Sequence, residues 1–125
     1  MLRILIIEDD EEIRDLLERL LTREGYAVSA AANGKQGVVA FRADPFDMVI
    51  TDIIMPEKDG IEAIMDLKRE RPDLKLIAIS GGGRADPENY LHSAQLLGAN
   101  RTLRKPFTND AILAAVKELF NQGPA

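Results

Sequence analysis

Leu2-Arg3-Ile4-Leu5-Ile6-Ile7-Glu8-Asp9-Asp10 is the stretch whose reading decides the fold. Apart from Arg3 its first six residues are apolar and rich in isoleucine, the pattern of a strand buried on both faces. The acids begin where the strand stops. From Glu11 to Glu24 the period changes: Ile13, Leu16, Leu17, Leu20 and Leu21 recur at three- and four-residue steps, one apolar stripe on a helix that Gly25 can terminate. Strand, acidic turn and helix form the opening unit, and the unit recurs.

Tyr26 to Ala31 reads as a weaker strand, followed by the turn Asn33-Gly34 and a short helix over 35–42 that Asp44-Pro45 breaks. Phe46 to Thr51 resumes the strand pattern and leaves Asp52 at its end, before Met55-Pro56 and the turn signal Asp59-Gly60. A helix over 61–70 carries Ile61, Ile64, Met65 and Leu67 on one side and stops before Pro72. Leu74 to Ile79 is the fourth strand, closed by Ser80-Gly81-Gly82-Gly83. Asp86-Pro87-Glu88 starts a helix bearing Tyr90, Leu91, Ala94 and Leu97, which Gly98 ends. Asn100 to Arg104 is the most polar run and predicts an edge strand. Thr108 caps a last helix striped by Ala111, Ile112, Ala115, Val116 and Leu119.

Strands alternating with helices predict an α/β fold: a five-stranded parallel sheet, doubly wound as a (βα)5 three-layer sandwich with right-handed crossovers. Strand order is not readable from one sequence. The flavodoxin-like order 2-1-3-4-5 would set the first and third strands side by side and bring Asp9, Asp10 and Asp52 together. The expected domain is residues 1–122, with 123–125 a tail or the start of a linker.

Composition bounds the object. A chain of 125 residues, 46% hydrophobic and 30% charged, has material for one core and too little for two. The net charge of -5, with no basic cluster, argues against direct nucleic-acid binding and points to proteins and metal ions as partners. The absence of cysteine removes disulfides, thiolate nucleophiles and soft-metal sites. No run approaches the roughly 20 apolar residues that span a bilayer, and acids from Glu8 onward spoil any leader pattern, so a soluble, cytoplasmic chain is expected.

The polar residues that carry chemistry all fall at strand ends. Asp9, Asp10 and Asp52 would concentrate negative charge in one cleft, and a hard divalent cation is the natural compensation. Seen alone, residues 8–12 serve equally well as an acidic helix start. Lys105, at the end of the fifth strand, can pair with Asp52 at rest and with a phosphoryl oxygen afterwards; alone it could be a structural partner. Ser80 adds a hydroxyl at the fourth strand end, where turn chemistry is the plainer reading of a serine before three glycines. The constellation carries the inference.

Over essentially its whole length the chain resembles the receiver domain of two-component response regulators. The matching pieces are Ile6-Ile7-Glu8-Asp9-Asp10, Asp52 with Met55-Pro56 and Asp59-Gly60, Ile79-Ser80-Gly81, and Lys105-Pro106-Phe107. The resemblance implies that Asp52 accepts a phosphoryl group from a phosphohistidine on a sensor histidine kinase or histidine phosphotransfer protein. It also implies Mg2+, with Mn2+ as a substitute, held by Asp9, Asp10, Asp52 and the backbone carbonyl of Ile54. Ser80 resembles the switch hydroxyl and Lys105 the phosphate-pairing lysine, with Lys105-Pro106 cis. Such a domain catalyses its own aspartyl phosphorylation and dephosphorylation and turns over no external substrate. An output protein or domain, and a homodimer, are further partners that the resemblance allows.

Two positions depart from the pattern or tune it. Family members often carry Tyr or Phe three places before the lysine, where Thr102 stands and cannot fill the same volume, which would weaken or reroute the readout of phosphorylation. Ile54 offers no polar group to orient an attacking water, so slow self-dephosphorylation is expected. Thr102 keeps open a rival reading, a phosphorylation-independent protein-binding module on the same scaffold. A small Mg2+-dependent phosphohydrolase is a third, against which stands the lack of a capping domain or an assigned acid for the leaving group. His92 has no companion at metal-site spacing and reads as a surface residue.

Overall fold

In a computed structural model of the chain, residues 1–53, 60–80, 95 and 98–121 are described. Five strands, β1 (Arg3–Ile7), β2 (Ala27–Ala31), β3 (Met48–Asp52), β4 (Lys75–Ser80) and β5 (Arg101–Arg104), form one sheet. The four described helices are α1 (Glu11–Arg23), α2 (Gly34–Ala43), α3 (Gly60–Glu70) and α4 (Asn109–Asn121). All pairings are parallel and the order is β2-β1-β3-β4-β5, as the flavodoxin-like expectation had it. The 86–97 helix read from the sequence, with Tyr90, Leu91 and His92, lies outside the described residues apart from Gln95. So do Ile54, Gly81 to Gly83 and the 123–125 tail.

The strands that read as continuous apolar runs are the central ones, and both their faces are used. Along β1, Leu5 and Ile7 join Val38, Phe41, Ile64 and Leu67 in a cluster beneath α2 and α3. Ile4 and Ile6 point the other way and join Leu17, Leu21, Val116 and Leu119 beneath α1 and α4. Period-two alternation thus feeds two apolar layers from one strand, which is why Ile4 to Ile7 are all apolar and only Arg3, at the strand's start, is not. The polar strand β5 lies at the sheet edge, as its composition predicted.

Helix ends follow local chemistry. Gly25 takes φ +96 after α1, a left-handed conformation that side chains disfavour, and Gly98 takes φ +113 before β5. Thr108 Oγ1 accepts from the Ala111 amide at 3.0 Å and caps α4. Gly37 lets α2 approach the sheet: a Cβ there would lie 2.6 Å from Ile7 Cγ1. Among the described residues no helix is long and apolar enough to cross a membrane.

Candidate functional site

Parallel register brings four strand ends to one edge of the sheet. Ile7 pairs with Thr51 and Asp52 with Ile79, so Glu8 and Asp52 leave the paired region side by side. Ser80 pairs with Arg104, and the Lys105 amide donates to the Ser80 carbonyl at 2.8 Å. Lys105-Pro106 is cis. This is the carboxyl edge, where open α/β sheets place ligands.

Lys105 stands at the centre. Its Nζ donates to Asp52 Oδ2 at 2.7 Å and lies 2.8 Å from Glu8 Oε1. The Glu8 contact is an ion pair, and Oε1 accepts no hydrogen bond among the described residues. Burial alone would lower the lysine's pKa; the bond to Asp52 and the pairing with Glu8 outweigh it and raise the value. Glu8, 1% exposed, is pushed up to about 8, first by burial and then by the charge of Asp52, with Lys105 opposing.

Carboxylate oxygens of Glu8, Asp9 and Asp52 all lie within 4.8 Å of one another. Such a set of hard oxygen donors suits a hard divalent cation, and like charges so close call for one. A second observation concerns Ser80, whose Oγ is fully buried and has no hydrogen-bond partner among the described residues. A buried hydroxyl without a partner is costly unless some state of the site supplies an acceptor.

Asp9, Asp52, Ser80 and Lys105 therefore meet at one strand edge, as read from the sequence. Asp10 takes a different post. Its Oδ1 accepts from the amides of Glu12 and Ile13 at 2.9 and 3.3 Å, capping α1. The three-carboxylate group contains Glu8 in addition to Asp9 and Asp52. The sequence expectation names Asp10 and omits Glu8, although a helix starting at Glu11 makes Asp10 its natural cap and so shifts the pair of pocket acids back by one residue. The Ile54 carbonyl lies outside the described residues.

Comparison with known proteins agrees with this geometry. A family model of the response regulator receiver domain matches residues 4–117. Transcriptional regulatory protein TcrA of Mycobacterium tuberculosis is 32% identical over 122 residues, 98% of this chain and 47% of the relative. Chemotaxis protein CheY of Bacillus subtilis is 33% identical over 120 residues, 95% of this chain and 98% of the relative. The chain thus spans about half the length of some curated relatives and nearly all of another. Among solved structures, a CheY-like receiver domain protein from Methanospirillum hungatei superposes with a TM-score of 0.89 at 30% identity, covering 98% of this chain and 95% of the other. Response regulator TrrA of Thermotoga maritima, solved in complex with Mg(2+)-BeF, gives 0.81 at 30% identity over 95% and 99%. Because the match reaches every strand from β1 to β5, the chain belongs to the response regulator receiver domain family of two-component systems.

Proposed function

We propose that this domain is a phosphorylation-dependent signalling receiver that takes a phosphoryl group onto Asp52 from a phosphohistidine partner, a sensor histidine kinase or histidine phosphotransfer protein. The observation that carries the reading is the Lys105 ammonium shared by Asp52 and Glu8, with Asp9 completing the acidic pocket. Asp52 attacks phosphorus in line; the Asp52 oxygen–phosphorus bond forms as the phosphorus–nitrogen bond breaks, and its electron pair returns to the imidazole. Lys105 follows the charge from the carboxylate to the phosphoryl oxygens, and Ser80 Oγ donates to one of them. Mg2+ held by these acids would supply positive charge to offset the negative charge gathered in the pocket, leaving the chain's own residues a task of positioning and electrostatics.

Asp9 and Asp52 are assigned to the ion, with Glu8 beside them, Asp10 as the helix cap, and the Ile54 carbonyl retained from the family pattern. Mn2+ would occupy the same oxygen set. The Mg(2+)-BeF complex of TrrA supports the choice of metal. An apolar groove of about 320 Å³, lined by Ile13, Leu16, Lys105, Pro106 and Phe107, lies beside the pocket and offers a surface to the donor protein. We place the domain in the cytoplasm, as one unit over residues 1–122, with an output protein or domain and a homodimer as further partners. Thr102, half-buried in β5 opposite Ala78 of β4, stands where family members often carry an aromatic residue, and on that departure rests a second reading in which binding is independent of phosphorylation.

Incubation with Mg2+ and a small acyl phosphate, followed by intact mass, tests the proposal. One phosphoryl mass gained by the wild type and lost in Asp52→Asn is the expected result. No gain, with no Mg2+ binding on titration, would favour the constitutive binding module, and multiple-turnover hydrolysis of a substrate would favour an enzyme.

A further inference from the structure

The peptide that joins Glu8 to Asp9 is gripped from outside the acidic cluster. Arg14, half-buried on the first turn of α1, donates from Nη1 to the Glu8 carbonyl oxygen at 2.9 Å. That carbonyl and the Asp9 amide share one plane, so its direction governs how both side chains leave the backbone. Arg14 reaches it because the helix start is pinned. The Arg14 amide donates to the Asp10 carbonyl at 2.9 Å, while Asp10 Oδ1 takes the amides of Glu12 and Ile13. Two further hydrogen bonds hold the turn among the described residues: the Glu8 amide donates to Ala31 O at the end of β2 at 3.0 Å, and the Asp10 amide to Glu8 Oε2 at 3.2 Å.

We propose that Arg14 is a positioning residue for the cation site, acting through the Glu8–Asp9 peptide to hold both carboxylates toward Asp52. The inference rests on the reading of Glu8, Asp9 and Asp52 as the place of the ion. It predicts a sign that simple electrostatics reverses. A guanidinium beside a cation site repels the cation, so on charge alone its removal tightens Mg2+ binding. If its work is to orient the peptide, removal lets the acids spread and weakens binding, as loss of a group supporting metal ligands does.

Calorimetric titration of Mg2+ into the wild type, Arg14→Met and Arg14→Lys separates the two. Methionine keeps part of the apolar stem and no donor; lysine keeps one donor able to reach the same oxygen. The expected result is a Kd roughly tenfold weaker for the methionine variant, with much of the loss recovered by lysine. In phosphorylation by an acyl phosphate, the loss should fall on the Mg2+ concentration at half-maximal rate rather than on the maximal rate. A methionine variant that binds Mg2+ as tightly as wild type, or more tightly, overturns the proposal. Should it fail to fold, Arg14→Gln, whose amide is too short to reach the carbonyl, is judged by the same criterion. A wild-type protein that binds no Mg2+ would instead sink the functional reading beneath it.

Discussion

Replacing Lys105 with methionine keeps the apolar stem and deletes an ammonium on which two buried carboxylates depend. The contacts are 2.7 Å to Asp52 and 2.8 Å to Glu8, and the three side chains are only 16%, 6% and 2% exposed. At that separation each attraction is about 6 kcal/mol gross for an effective dielectric near 20, before desolvation is set against it. Breaking a buried pair by removing one partner leaves a net cost of about 3 to 5 kcal/mol. Glu8 sets the pH dependence. Its carboxyl, pushed up to about 8, holds its proton at pH 6, so the variant strands fewer charges there than at pH 9. We expect a loss of about 3 kcal/mol at pH 6 and about 5 kcal/mol at pH 9. Urea denaturation followed by circular dichroism in EDTA, with m-values compared to exclude a changed unfolded state, measures it. Mg2+ should restore more stability to the variant than to the wild type, since the ion then supplies the missing positive charge. A cost under about 1 kcal/mol at pH 9, the size of an exposed pair, would refute the reasoning. So would a cost that shrinks as the pH rises.

Glu8 gives a pH signature of its own. A carboxyl whose folded-state pKa lies above its free value stabilises the fold below the free value and loses that contribution as the pH climbs through the folded one. The metal-free protein should therefore lose stability between pH 4.5 and about 8, and Glu8→Gln should flatten that slope in urea melts; an unchanged slope would contradict the assignment. Asp10→Ala should cost about 1 kcal/mol through loss of the α1 cap and weaken Mg2+ binding only modestly, through the looser helix start, whereas Asp9→Asn should abolish binding with little change in stability. Calorimetry reversing those two outcomes would restore Asp10 to the metal site. Ser80→Ala removes a buried hydroxyl that has no partner among the described residues and should raise the stability of the unphosphorylated protein by about 1 kcal/mol. The same variant should slow phosphorylation by an acyl phosphate, and a variant that is both less stable and unimpaired would count against the role given to Ser80.

Much of the fold was legible because its signals are local. The isoleucine run of β1, the three-and-four stripe of α1 and the left-handed glycine after it are written in adjacent residues, and observed ends differ from expected ones by a residue or two. The polar run of β5 announced an edge strand, and an edge strand it is. At the site, Asp52 and Ser80 were legible as polar residues stopping apolar runs, and Lys105 as the residue that follows the fifth strand. Asp10 has the sequence look of a ligand, since an aspartate beside an aspartate suggests a pair. Its side chain instead serves the amides of Glu12 and Ile13, leaving the longer Glu8 to reach Lys105.

The sequence by itself determined the alternation of strands and helices, the two-faced burial of the central strands and the strand-end position of each polar group. Those follow from periodicity and from the chemistry of near neighbours. Only the tertiary structure decided which acids face one another. That choice hangs on the β1–β3 register, which sends Glu8 and Asp52 out of the sheet together, and on a cap and an arginine clasp that turn the backbone between them. Register is a property of hydrogen bonds between residues more than forty positions apart, and no local pattern within either segment encodes it.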